Sequence, residues 1–215
     1  MKFLANLVIP AKNSLTITDK NPRGNINSDT IFIGYSNNYF HASYLYFDTS
    51  SIPDNISLNA AHLVLFKYPV YPMGKNYNYM VYPLLDYFST QTNYENPCLY
   101  DNTTQVSFYP FNNKIYLEID ITKIIELWNT NKLVNKGLIL TTENYNSSLI
   151  SFGSANVTDS TLKPFLRLNY EDKSSGCQNI TMNYPKFYIN CTFPPLPYPN
   201  INVKCKLRPG NTNNE

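Results

Sequence analysis

"SYLYFDTSSIPDNISLNAAHLVLF", residues 43–66, decides how the chain is read. Tyr44, Tyr46 and Asp48 alternate with Leu45 and Phe47, a polar stretch containing Pro53 follows, and Ala61 to Phe66 is apolar again. A period of two on either side of a short polar turn is the pattern of paired strands, because successive side chains in a strand point to opposite faces. Asp48 ends the first strand and is followed by Thr49-Ser50-Ser51, so its carboxylate is expected to bond the turn backbone. The stretch reads as scaffold rather than chemistry.

The same pattern recurs along the chain. Strands are predicted at Phe3–Pro10, Leu15–Thr18, Thr30–Tyr35, Ser43–Asp48, Ala61–Tyr68, Tyr79–Leu84, Gln105–Tyr109, Ile115–Ile119, Gly137–Thr142, Leu149–Gly153 and Phe165–Tyr170. They are short, rich in β-branched and aromatic residues, and bounded by Asn, Ser, Pro or Gly. The expectation is an all-β, antiparallel sandwich. One helix interrupts it: Asp120 is placed as N-cap, and Ile121, Ile124, Ile125 and Trp128 follow at helical spacing. Trp128, the only tryptophan, falls on the apolar face, so the helix is expected to plug one end of the sandwich.

Composition narrows function by exclusion. Of 215 residues only 15% are charged, the formal net charge is +2, and no basic cluster occurs, which argues against nucleic-acid binding. No apolar run approaches a membrane span. The polar surface comes instead from amides and hydroxyls, with 31 Asn residues. The N-terminal MKFLANLVIP is interrupted by Asn6 and Pro10 and reads as a first strand, so no Sec signal peptide is expected. The two histidines, His41 and His62, lie on or beside strands, and no nucleophile elbow or phosphate-cradling Gly loop is present, so no catalytic site is expected. No cofactor is expected either. A structural Ca2+ at Asp48, with Asp19 or Asp29, is the alternative to the turn reading, although no D-x-D-x-D spacing accompanies it.

Composition shifts after Tyr170. Residues 1–171 read as the sandwich and 172–215 as a Cys/Pro-rich tail with a β-hairpin. Cys177, Cys191 and Cys205 lie at equal spacing, and the remaining cysteine is Cys98. In KFYINCTF, Phe187, Ile189, Cys191 and Phe193 share one face; in INVKCKL, Ile201, Val203, Cys205 and Leu207 share another. The intervening PPLPYPN cannot continue a ladder. A hairpin turning near Tyr198 sets Cys191 opposite Cys205 at disulfide distance; the other reading is a set of small buried thiols. The tail is surplus to a sandwich core and is expected to contact another subunit, with Cys98 and an unpaired tail cysteine available to crosslink it. Docking on its own sandwich is the alternative.

The order of segments resembles the DNRLRE domain, also called carbohydrate-binding module family 96. NPRGNINSDTIFIGYSNN is similar to its early loop and strand; SYLYFDTSSIPDNISLNAAHLVLF to its Phe-Asp, Ser-Ile-Pro and Ala-led strand signature. DYFSTQTNYENP stands in the place of its aromatic segment, LEIDITKIIELWNTNKLVNKGLIL resembles its strand, capping helix and strand, and SFGSANVTDSTLKPFLRLNY its closing pair, with Pro164 before the last strand. The resemblance covers roughly residues 7–171 and implies a jelly-roll-like sandwich. Family members carry Arg where Ala42 stands and often Trp where Phe88 and Tyr94 stand. Two functions are expected. The first is a structural, self-assembling protein of the cell or spore surface, a filament or appendage subunit of a spore-forming bacterium that reaches the surface without a signal peptide. The second is a secreted carbohydrate-binding module that adheres to polysaccharide through exposed tyrosines.

Overall fold

A computed structural model of the chain describes residues 4–68 and 78–173. Among these residues it contains eleven strands, one α-helix and two 3-10 turns. The strands are β1 (Leu4–Thr18), β2 (Asn25–Ile26), β3 (Thr30–Ser36), β4 (Tyr39–Phe47), β5 (Ile56–Phe66), β6 (Tyr79–Pro83), β7 (Val106–Phe108), β8 (Tyr116–Asp120), β9 (Leu138–Thr141), β10 (Ile150–Gly153) and β11 (Phe165–Asp172); the helix α1 is Thr122–Asn129. The path of pairing runs β7-β6-β9-β4-β1-β11-β5-β8, with β3 on β4, β10 on β3 and β2 on β1. All these pairs are antiparallel. A further bridge joins Lys67, just past β5, to Phe152 of β10, so the sheet curls nearly into a barrel. The fold is an all-β, sandwich-like domain with one capping helix.

β1 differs from its expected form. Phe3–Pro10 and Leu15–Thr18 are halves of one strand that changes partners midway. Leu4 to Pro10 pair with β11, and Ala11 to Thr18 pair with β4. Pro10 has no N–H to give, and it stands at the changeover. The Ala11 amide donates to Pro164 O at 2.8 Å. The register then shifts between Ala11 and Asn13, leaving Lys12 as the extra residue of a bulge, the usual device by which a strand bends between two sheets. Pro164 is buried beside this corner.

Other boundaries moved for tertiary reasons. β5 begins at Ile56 rather than Ala61, because β11 is long enough to pair Asp172 with Ile56, Glu171 with Ser57 and Tyr170 with Leu58. Asp120 is not the helix N-cap; that position is Ile121, whose side chain is fully buried. Asp120 ends β8 opposite His62, and its carboxylate accepts from the Thr122 amide at 2.9 Å and hydroxyl at 2.6 Å. Asp120 thus bonds the first turn from one residue before the N-cap position. β11 runs one residue past the expected boundary at 171, and Cys177, Cys191, Cys205 and the tail hairpin lie outside the described residues.

Two apolar clusters follow from strand alternation. The inner one takes Leu45 and Phe47 of β4, Leu63 and Leu65 of β5, Leu166 and Leu168 of β11, and Ile124, Ile125 and Trp128 of α1. The outer one lies on the other face of the β4 sheet: Leu15, Ile17, Tyr44, Tyr82, Ile139 and Cys98, with Phe88 packed against it. The second cluster exists because residues 85–104, between β6 and β7, lie over that face. The helix is fixed to β5 at both groups of Ala61, whose amide donates to Thr122 Oγ1 at 2.9 Å and whose carbonyl accepts from Ile121 at 2.9 Å.

Trp128 is 6% exposed and its Nε1 has no hydrogen-bond partner, so its contribution to folding is apolar packing. Trp128→Ala is expected to lower stability by about 3–5 kcal/mol, the range for truncating a buried aromatic. Denaturant melts of the two proteins check this; coincident curves would show that the helix does not plug the core.

Candidate functional site

The surface feature with the clearest potential to bind is a row of aromatic rings. Tyr145 stacks toward Tyr35 with centroids 5.5 Å apart, Tyr35 toward Phe40 at 5.4 Å, and Phe40 toward Tyr94 at 6.1 Å. Four separate segments supply these four rings. Tyr35 and Phe40 face each other across the β3–β4 hairpin. Its two-residue loop, Asn37-Asn38, holds both residues at positive φ (50° and 67°), the conformation that hairpin turns require and Asn tolerates.

Tyr145 is brought to Tyr35 by a backbone approach that only glycine allows. Gly34 has φ +108°, and a Cβ there would collide with the carbonyl oxygen of Ser148. The Tyr35 amide donates to Ser147 O at 3.0 Å, and Tyr79 Oη donates to Ser148 O at 2.5 Å. The turn that carries Tyr145 is bonded internally: Ser147 N–H to Asn144 O, Asn146 N–H to Asn144 Oδ1, and Thr142 Oγ1 against Ser147 Oγ. Tyr145 is 81% exposed on this rigid support.

Tyr94 is held from the other side. The next residue, Glu95, donates its amide to Pro22 O and pairs with Arg23 at 3.2 Å. Asn25 Nδ2 donates to both Thr90 O and Thr92 O at 2.8 Å. Asp19 accepts from the Phe40 amide at 2.8 Å, and Lys20 lies over the ring of Tyr39. The row is thus uncharged, with charged groups at its margin. Burial, and then the neighbouring Tyr145, Tyr94 and Asp19, push the Tyr35 phenol above its ordinary range, so it stays neutral and able to donate a hydrogen bond. Such a surface can stack on flat, rigid apolar rings.

The other singled-out residues have local roles. Asp48 Oδ1 accepts from the Ser50 amide at 3.2 Å and Oδ2 from Lys12 Nζ at 3.2 Å, capping the 3-10 turn Thr49–Ser51. Pro53 is exposed just past that turn. Asp159 caps the second 3-10 turn, Ser160–Leu162, in the same way and is likewise followed by proline, Pro164, five positions on. Asp19, Asp29 and Asp48 are not brought together; Asp29 lies near Thr158 Oγ1 at 3.4 Å. Among the described residues no group of three His, Cys, Asp or Glu side chains converges. Phe88, in a position where the resembled family often has Trp, packs on Tyr44 at 5.5 Å.

His41 bonds Tyr39 O through Nδ1, and burial lowers its pKa; the buried Nδ1 of His62 has no partner. Cys98 is a free thiol, buried, with Thr92 Oγ1 at 3.7 Å, and burial pushes its pKa up. It packs in the outer core cluster with Tyr44 and Tyr82. A separate cleft of about 370 Å3 lies between the Asp48 turn and the end of α1, lined by Asp48, Asp54, Trp128, Asn129 and Asn135. Asn135 Nδ2 is already engaged with Phe47 O and Thr49 Oγ1.

Searched against protein families and curated proteins, the sequence matches none.

The aspartate turns set a pH dependence. The hydroxyl and amide of Ser50, and then Lys12, hold Asp48 below the usual carboxylate range; the hydroxyl and amide of Thr161 do the same for Asp159. A carboxylate with a depressed folded pKa contributes stability above its unfolded value of about 3.9 and loses it as pH falls through the folded value. The denaturation midpoint is therefore expected to drop below about pH 4. The double variant Asp48→Asn, Asp159→Asn keeps the acceptor oxygens but does not titrate, so its acid limb should be flatter. Identical acid limbs in wild type and variant would refute this origin.

Proposed function

We propose that the chain is a non-catalytic structural subunit of a cell or spore surface that assembles with copies of itself. The observation that carries this reading is the outer face of the β1–β11–β5–β8 sheet. Pro10 pairs with Phe165 and Phe165 with Val64, while Phe66 pairs with Tyr116 on the next rung outward. Phe66 lies 6.0 Å from Phe165 and 6.2 Å from Tyr116, ring to ring. With Val8, 56% exposed, the half-buried Phe66, Phe165 and Tyr116 form an apolar band on the face turned away from the core, beside the Arg167–Glu118 ion pair; Val64 on that face is buried. A contiguous apolar band on a finished domain marks an interaction surface, in a way that single exposed leucines do not. The low charged fraction leaves little repulsion between copies.

Negative-stain microscopy and sedimentation of the purified full chain test the proposal. Filaments, sheets or closed oligomers are expected. Charging the band with Val8→Lys and Phe165→Lys should reduce assembly. A chain that stays monomeric at high concentration would overturn the reading.

The aromatic row supports a second reading, adhesion to polysaccharide, since pyranose rings present flat apolar faces that stack on tyrosine. On that reading, retardation in polysaccharide-containing gels should be lost in Tyr145→Ala with Tyr94→Ala. Migration unaffected by any polysaccharide would count against it.

A further inference from the structure

The first half of β1 has an open edge. The Ala11 amide donates to Pro164 O, and this pair continues the register that sets Leu4 against Glu171 and Pro10 against Phe165. Antiparallel ladders alternate bonded and non-bonded pairs, so Ala5, Leu7 and Ile9 bond β11, while the N–H and C=O groups of Leu4, Asn6 and Val8 point to the opposite side. β4 does not cover that side, because its pairing with β1 begins only at Ala11. Among the described residues none donates to or accepts from these groups. Pro10, which has no N–H, ends the run. Charge is a usual guard on an open edge, and this one has none from Leu4 to Pro10; Lys12 lies beyond it. The outward side chains of Leu4 and Val8 are 64% and 56% exposed.

We infer that the Leu4–Val8 edge pairs with the same edge of a second copy, antiparallel about a two-fold axis at Asn6. The inference rests on the assembly reading above and names the contact through which copies join. The edge is complementary to itself. In that register Asn6 faces Asn6 and Leu4 faces Val8, so exposed apolar groups cover each other, no like charges meet, and each of these residues both donates and accepts. A register centred on Val8 sets Asn6 against Pro10, which has no N–H to give. One centred on Leu4 leaves Val8 uncovered. The ladder supplies affinity and the alternate side chains supply register. Val8 and Pro10 point to the same side of β1, and Pro10 pairs with Phe165, so the contact lays the apolar bands of two copies side by side. The chain's own tail departs on the wrong side for this edge. The Lys173 amide donates to Asn55 O, just before β5, so the chain leaves on the β5 side of β11, whereas the open edge is the side of β1 turned away from β11.

Sedimentation of the full chain over a range of concentrations, with a thermal melt of each variant, tests the contact. Asn6→Pro removes the edge N–H at the centre of the pairing, which bonds no described residue, and proline is tolerated where a strand's N–H faces outward. It is expected to raise the midpoint concentration of self-association about ten-fold, the effect of the backbone bonds that both copies lose. Its melting temperature at low concentration should match the wild type. Asn6→Cys lies on the axis and should give a dimer band under mild oxidation, above that of the native cysteines; Asn13→Cys, exposed on the other half of β1, should not. Should Asn6→Pro fail to fold, the Asn6→Cys band decides alone. Self-association unmoved by Asn6→Pro, with or without a lowered melting temperature, or no added band from Asn6→Cys, would overturn the edge pairing. Assembly that Phe165→Lys still reduces would then leave the apolar band standing. A wild type monomeric at every concentration would overturn both.

Discussion

The architecture depends on one strand having two partners. β1 gives its first half to β11 and its second half to β4, so the path of pairing passes from one sheet to the other through covalent chain rather than through a loop. The bend is local. It needs a residue without an N–H at Pro10, an inserted residue at Lys12, and an acceptor from the neighbouring corner, Pro164 O. Because both sheets hang on this strand, the inner cluster can be filled from both: Ile9 and Ala11 of β1 sit in it with Leu45, Leu63 and Leu166. The hydroxyls of Thr16 and Ser43 complete the far end. They bond each other at 2.8 Å and receive the Phe32 amide, satisfying β3 where it parts from its neighbours.

Few charges are needed because the turns use side-chain oxygens instead. Asp48, Asp101, Asp120 and Asp159 each accept from the backbone amide two residues on, and that residue is Ser or Thr in every case. The motif is short-range, so it closes a turn without a partner from elsewhere in the fold. Two of the four, at Asp48 and Asp159, introduce the strands β5 and β11, which then pair with each other. Exposed ion pairs such as Arg23–Glu95 add little to stability by comparison; their use here is to hold a loop in place.

The surface carries two clusters of aromatic and apolar side chains. One is the apolar band on the β1–β11–β5–β8 face, where half-buried aromatics lie beside the Arg167–Glu118 pair at 2.8 Å. The other is the aromatic row on the hairpin end. They lie on different elements of the fold.

Sequence by itself determined the elements. Alternation at Tyr44–Phe47 and Ala61–Phe66, the helical spacing of Ile121 to Trp128, and the Asp48 turn are all local signals, and the structure has a strand, a helix or a cap at each. The Asn37-Asn38 turn was not read as a hairpin: the second strand was expected only from Ser43, whereas β4 begins at Tyr39. What the sequence left open is everything set by a distant partner. Nothing near Pro10 says that the strand continues into a second sheet, because that depends on where β4 and β11 lie. Nothing around Cys98 in sequence says that it shares a core cluster with Tyr44 and Tyr82. The aromatic row was illegible for the same reason. Tyr35, Phe40, Tyr94 and Tyr145 are spread over 111 positions of sequence, and no periodicity joins them. Only the close approach of the Ser148 backbone to Gly34, and of Glu95 to Pro22, places the rings side by side.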